Sequence, residues 1–255
     1  MMKKKNPLIG AIAIAAMCCA CSSSWHMTGI ERTRLVVDSK YDSQLSAEAN
    51  EWLKPYKQKV DSVMSPVVGR IAKDMAARKP ESELSNLLCD ILVWEGGRRG
   101  ERVDFAVYNM GGIRAAFSKG DVTIGDVLAV APFENKICFL TLTGAKTVEL
   151  FKQIAHSHGE GTSHGVEMVM DKDYNMKSIK LHGKDIDPNK TYRIATLDYL
   201  AQGNDGLVAF KSATQVVSPQ DEANNVRYII MDYFKEAAKK GIAVDSKKEG
   251  RITIE

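Results

Sequence analysis

At 255 residues, with 44% hydrophobic and 26% charged residues, the sequence has globular composition and the length for one large or two small domains. That composition excludes collagen, a coiled-coil rod and disorder throughout. The formal charge of +3 is confined to the start: Lys3, Lys4 and Lys5 supply three positives and residues 1–20 hold no acid, which leaves 32 of the 35 basic residues against 32 acidic ones. A neutral body gives no support for a broad nucleic-acid-binding surface.

Taken in chain order, residues 1–20 read as an export leader. A lysine start is followed by a short apolar stretch over 7–17, less than the ~20 apolar residues that span a bilayer. The stretch runs into Cys18-Cys19-Ala20-Cys21 and three serines. This pattern resembles a bacterial lipoprotein signal peptide. Cys21 is the expected lipidation site, because small Ala20 precedes it; Cys18 is the alternative, with bulky Met17 before it. An ordinary cleaved signal with incidental cysteines is the other reading. Two acyl chains hold a protein on a membrane where one is marginal, so the expected location is periplasmic or cell-surface, lipid-anchored. Residues 21–45 read as a polar tether and 46–255 as the folded domain. Cys89 and Cys138 fall in apolar patterns; buried free thiols are expected, with one disulfide as the alternative in an oxidising compartment.

Residues 45–70 carry a helical pattern broken by Pro55 and Pro66. Leu84, Leu87, Leu88, Ile91 and Leu92 recur at helical spacing within 83–97, and Gly96-Gly97 read as the stop. A strand over 103–109 ends in a glycine turn. A short helix over 123–130 with Thr123 as cap, a strand over 137–142 and a helix over 143–156 follow. Strands are predicted over 165–170, 178–181 and 192–197, then a long helix over 221–240 and a closing strand over 251–254. Helices and strands are interspersed without strict alternation. The expected fold is therefore mixed α/β (α+β), a mixed sheet covered by helices.

Three segments carry chemistry. In Tyr108-Asn109-Met110-Gly111-Gly112-Ile113-Arg114 a strand ends in a polar residue, and two glycines let backbone N–H groups approach a ligand. Arg114 adds a forked donor suited to phosphate or carboxylate. In Ala131-Pro132-Phe133-Glu134-Asn135 an aromatic occupies a loop, where folding back onto the core is its ordinary alternative. In residues 196–206 a strand ends, Tyr199 follows, and Asp205 sits in a glycine-flanked turn, where bonding its own backbone is the ordinary role.

In order and spacing these segments resemble the C-terminal domain of the 5'-nucleotidase / UDP-sugar hydrolase family. That family carries Asn-x-Gly-Gly-Ile-Arg, Pro-Phe-x-Asn and Thr-x-x-Phe-x-x-x-Gly-Gly-Asp-Gly, and a helix start similar to residues 81–90. The resemblance spans about residues 60–255. It implies that Phe133 and Tyr199 sandwich a nucleobase and that Asn135 bonds a base or sugar edge. It implies that Asp205 accepts ribose hydroxyls, and that Asn109 and Arg114, with Gly111 and Gly112 in the turn, hold the phosphate. Arg78 stands where the family often has a further phosphate-binding arginine. Pro80, Ser85, Tyr199 and Asn204 replace an arginine, a glycine, a phenylalanine and a glycine of the family pattern. The lost arginine weakens the case for polyphosphate binding more than that for base binding.

Family enzymes hydrolyse phosphoesters at a two-metal centre in a separate N-terminal domain. Its Asp-x-His, Gly-Asn-His-Glu/Asp and Gly-His-x-His motifs are not found in these 255 residues. No catalytic residue, metal ligand or cofactor is therefore assigned to this chain, and whether it is an enzyme by itself stays open. The two divalent ions are expected in a separate metallophosphatase subunit. His156, His158 and His164, with Glu160, offer metal-ligand residue types; intervening Gly159, Gly161 and Gly165 favour a flexible, solvated loop instead. The expected function is nucleotide or nucleoside recognition within a split periplasmic 5'-nucleotidase. The alternatives are a non-enzymatic nucleotide-binding surface lipoprotein and a structural lipoprotein that has lost its ligand. Related domains also serve enzymes acting on cyclic nucleotides, UDP-sugars and sulfur-oxidation intermediates, so base and substrate stay open.

Overall fold

The computed structural model describes residues 27–36 and 47–255. The leader, Cys21 and residues 37–45 of the tether lie outside the described residues. Residues 27–36 are exposed and carry no helix or strand. The chain divides into two units at Trp52/Leu53, and residues 53–255 form the larger one. No described helix is long and apolar enough to cross a membrane.

The elements follow in chain order: α1 (Ala47–Met64), β1 (Val67–Ile71), α2 (Glu83–Arg98), β2 (Phe105–Tyr108), β3 (Gly120–Thr123), α3 (Ile124–Val130), β4 (Ile137–Thr143), α4 (Gly144–His156), β5 (Gly161–Thr162), β6 (Val166–Met170), β7 (Met176–Leu181), β8 (Lys184–Asp185), β9 (Thr191–Leu197), α5 (Asp198–Ala201), β10 (Thr214–Val217), α6 (Val226–Lys239) and β11 (Ile252–Ile254). The central sheet has the order β10-β4-β9-β2-β5; β2 and β9 are parallel and their other neighbours antiparallel. A second sheet has the order β11-β6-β7-β8, and β1 pairs with β3. The mixed sheet covered by helices is the architecture expected from the sequence.

Side chains alternate across a strand, and here the alternation fills two cores. Ala106, Tyr108, Phe139, Ala195 and Leu197 face one side and pack with Leu84, Leu88 and Ile91 of α2 and Ile230 and Phe234 of α6. Phe105, Val107, Leu140, Leu142 and Ile194 face the other and pack with Leu150, Phe151 and Ile154 of α4 and with the second sheet. Cys89 belongs to the first core and Cys138 to the second, and both are buried free thiols. The sheet between them prevents pairing. Burial raises the Cys89 thiol well above its ordinary value and pushes Cys138 up to about 11, which keeps both protonated and unreactive.

Four sequence expectations change. Pro55 lies inside α1 rather than ending it. Residues 67–71 form β1, not a helix. The glycines at 96 and 97 do not stop α2, which continues to Arg98. A Cβ on Gly96 would meet Val103 Cγ2 at 2.6 Å, so this glycine permits close helix–strand approach. The long helix begins at Val226, because Asn225 caps it and residues 222–224 form a separate turn.

The residues of the 81–90 motif build scaffold. Ser82 and Ser85 form a reciprocal capping box at the start of α2, so serine in place of the family glycine closes the cap. Glu81 accepts bonds from the Asn86 side chain and from the Glu249 and Gly250 backbone N–H groups. Asp90 holds Arg251 through a fork, Nη1–Oδ1 at 2.9 Å and Nη2–Oδ2 at 2.7 Å. Arg251 is only 3% exposed and also donates to the Thr162 carbonyl.

Removing one partner of a buried ion pair costs about 3–5 kcal/mol, and partial exposure of Asp90 favours the lower end. R251M is therefore expected to lower unfolding free energy by about 3 kcal/mol in urea titration. R251K is expected to restore less than half of that, because a point charge cannot fork.

Candidate functional site: a cleft lined by two aromatic residues

Strand direction assembles the site. Parallel β2 and β9 both end on one edge of the central sheet, and antiparallel β4 and β5 begin there; Ile137 pairs with Leu197, and Tyr108 with Gly161. Loops 131–136, 198–206, 109–114 and 157–160 therefore converge, although they lie far apart in sequence.

An open cleft of about 230 Å³ is lined by Asn109, Gly111, Gly112, Phe133, Asn135, Tyr199 and Asp205. Seven of the nine substrate-site residues expected from sequence thus meet in one cavity. Phe133 is 50% exposed and Tyr199 36%, so neither ring is folded into the core. Arg78 and Arg114 are exposed and lie outside the lining; Arg114 Nη1 donates to the Gly111 carbonyl at 3.3 Å.

Backbone ties hold the two ring-bearing loops. The Lys136 N–H donates to Asp198 Oδ1 at 3.0 Å, and the Asp198 N–H returns to the Lys136 carbonyl at 2.9 Å. The Tyr199 N–H donates to the same Asp198 oxygen at 2.8 Å. Arg227 Nη2 donates to the Pro132 carbonyl at 2.7 Å.

Asp205 is held from two sides. Tyr199 Oη donates to Oδ1 at 2.8 Å and Asn109 Nδ2 to Oδ2 at 3.1 Å. This bond to Asp205 raises the Tyr199 phenol above its ordinary value. A carboxylate only accepts, so the Asn109 atom facing it is the nitrogen. Asn109 Oδ1 is buried without a partner, and a Cβ on Gly112 would meet it at 2.7 Å. Asn109 Nδ2 carries a second N–H beyond the one given to Asp205. Asp205 itself adopts φ 54°, a left-handed conformation costing about 1–2 kcal/mol in a residue with a Cβ.

Glu160, Lys79 and Asp198 are contributors that sequence reading did not assign to the site. Glu160 is only 4% exposed; its Oε2 accepts the Met110 N–H and its Oε1 the Lys79 ammonium at 2.8 Å. Lys79 also donates to the Ser157 carbonyl at 2.6 Å. Glu160 thus braces the 109–112 turn from behind. Its one sequence signal is a lone acid among glycines. The solvated-loop expectation holds for the exposed side chains of His156, His158 and His164 but fails for residues 159–163, which are buried. Gly161 packs beneath Cys89 Sγ and the Tyr108 carbonyl, where a Cβ would sit 3.0 Å from each.

Three of these groups have other partners. His158 stacks on Tyr174 at 3.8 Å, His164 Nδ1 pairs with Glu249 at 2.8 Å, and Glu160 is engaged by Lys79. Among the described residues no three His, Cys, Asp or Glu side chains gather as metal ligands.

Burial raises the Glu160 carboxyl above its ordinary 4.5 despite the Lys79 pair. The folded protein therefore keeps this proton to higher pH than the unfolded chain, and stability falls as pH rises from about 4.5 through the raised value. In urea titrations from about pH 4 to about pH 7, the stability difference between wild type and E160Q is expected to shift against wild type with rising pH across that window.

The family model described as 5'-nucleotidase, C-terminal domain matches residues 67–212. Protein UshA of Yersinia enterocolitica is 33% identical over 154 residues, covering 59% of this chain and 27% of that protein. Cell wall protein Lmo0130 of Listeria monocytogenes is 28% identical over 220 residues, covering 76% of this chain and 28% of that one. The crystal structure of a 5'-nucleotidase precursor from Thermus thermophilus superposes with a TM-score of 0.70 at 26% identity, covering 81% of this chain and 43% of the other. The chain spans under a third of the length of these two curated relatives and under half of that structure. Fold, cleft and family match agree: the chain belongs to the 5'-nucleotidase C-terminal domain family.

Proposed function

We propose that this chain is the nucleotide-recognising part of a split 5'-nucleotidase, acting in nucleotide catabolism with a separate metallophosphatase subunit that carries two divalent ions. The observation behind the proposal is the cleft that places Phe133, Tyr199 and Asp205 around one space. A base enters between the two rings; Asn135 offers hydrogen bonds to its edge, and Asp205 accepts ribose hydroxyls. Asn109 and Arg114, with Arg78 as a further arginine, are the groups assigned to the phosphate, and both arginines are solvent-exposed. Substrate orientation is this chain's part in the reaction. A lipid on Cys21 would hold the protein at a membrane facing the periplasm or the cell exterior. The likeness to a cell wall protein supports that outward location.

Calorimetry with AMP is expected to give a Kd of roughly micromolar or weaker, since one base sandwich is a modest contact set. F133A is expected to weaken AMP about tenfold, matching the roughly 1–3 kcal/mol of one base–aromatic stack. With divalent metal the 255-residue chain is expected to release no phosphate from AMP until a metallophosphatase half is added. Metal-dependent hydrolysis by this chain alone would overturn the split-enzyme reading. Binding that no metallophosphatase converts to turnover would instead favour a nucleotide-binding lipoprotein.

A further inference from the structure

We propose that the Tyr199 hydroxyl is a specificity-determining group, which holds Asp205 as an acceptor for a sugar with free vicinal hydroxyls. This rests on the nucleoside reading of the cleft given above.

The two Asp205 oxygens each receive one bond from the protein, at 2.8 Å from Tyr199 Oη and at 3.1 Å from Asn109 Nδ2. An ionised carboxylate has about four lone-pair sites, so each oxygen keeps room for one further donor. Two adjacent acceptors with fixed orientation match the two O–H donors of a vicinal diol. They repel a phosphate, which brings acceptors and negative charge. The holding is built in. Asn204 Nδ2 donates to the Tyr199 carbonyl at 2.8 Å and closes the 199–205 loop. Left-handed Asp205 lies between Gly203 and Gly206, both also at positive φ. Asn109, 5% exposed, leaves its own Oδ1 without a partner while serving Asp205.

Stacking does not require the hydroxyl, since a phenylalanine ring presents the same face. The hydroxyl adds control of the carboxylate. Without it, Asp205 loses its partner on the ring side, and its carboxylate is left with the Asn109 bond to Oδ2. Ring and carboxylate act as one unit, coupling base recognition to sugar recognition.

The test compares adenosine with 2',3'-dideoxyadenosine by calorimetry, using the full chain as wild type and Y199F. Wild type is expected to bind adenosine about tenfold or more tightly than the dideoxy analogue. Y199F is expected to weaken adenosine about fivefold and to leave dideoxyadenosine within about twofold. Equal weakening of both ligands, or no change in either, overturns the proposal. A ligand-free control follows phenol ionisation by absorbance: wild type should show a late-titrating tyrosine that Y199F lacks and that returns toward the ordinary range in D205A. If no such tyrosine exists, the hydroxyl does not hold Asp205 and the proposal alone fails. If it exists but wild type binds neither adenosine compound, the nucleoside reading fails and takes the proposal with it.

Discussion

The direction of four neighbouring strands governs this molecule. Because β2 and β9 run parallel, their carboxyl ends meet on one edge of the sheet, where antiparallel β4 and β5 begin. Ligand sites of α/β proteins form outside such strand ends, where loops diverge and backbone groups are left unpaired. Each loop here contributes its own groups: a ring at Phe133, a ring and a carboxylate at Tyr199 and Asp205, a glycine turn at 109–112 and a buried acid at Glu160. None makes a site alone. A reversed strand would carry its loop to the far edge.

A polar chain ties these loops together. Lys79 binds Glu160, Glu160 holds the Met110 N–H, Asn109 in the same turn binds Asp205, and Asp205 takes the Tyr199 hydroxyl. Burying Glu160 is costly by itself, since a carboxylate loses its water. The ammonium and the backbone N–H offset part of that loss. The result is a rigid floor beneath a cleft whose rings remain exposed. Rigidity at the floor limits the side-chain and loop ordering that binding would otherwise require.

Motif residues divide by burial and partner. Glu81, Asn86 and Asp90 carry polar groups suited to a ligand, yet all three are spent on the segment that leads into β11. Asp90 turns a buried arginine into a link between α2 and the final strand. Asn109, Phe133, Tyr199 and Asp205 instead leave surface on one shared space. A motif can therefore mark a fold as faithfully as it marks a site.

Much of this was legible in the chain itself. Helical spacing in residues 83–97 and alternation in residues 137–142 reflect burial of one face or of both, which is written locally. The ordered glycine turn, Pro-Phe-x-Asn and Gly-Asn-Asp-Gly segments gave the family resemblance and seven residues of the cleft. Tertiary structure decided what depends on distant partners. A helix stop is the local reading of Gly96, but Val103 occupies the place of its missing Cβ; a solvated loop is the local reading of residues 159–163, but Cys89 and Tyr108 pack against Gly161. The roles of Lys79 and Glu160, 81 positions apart, follow from a contact that no local pattern encodes. Local periodicity reports whether a residue is buried; only the fold reports what it is buried against.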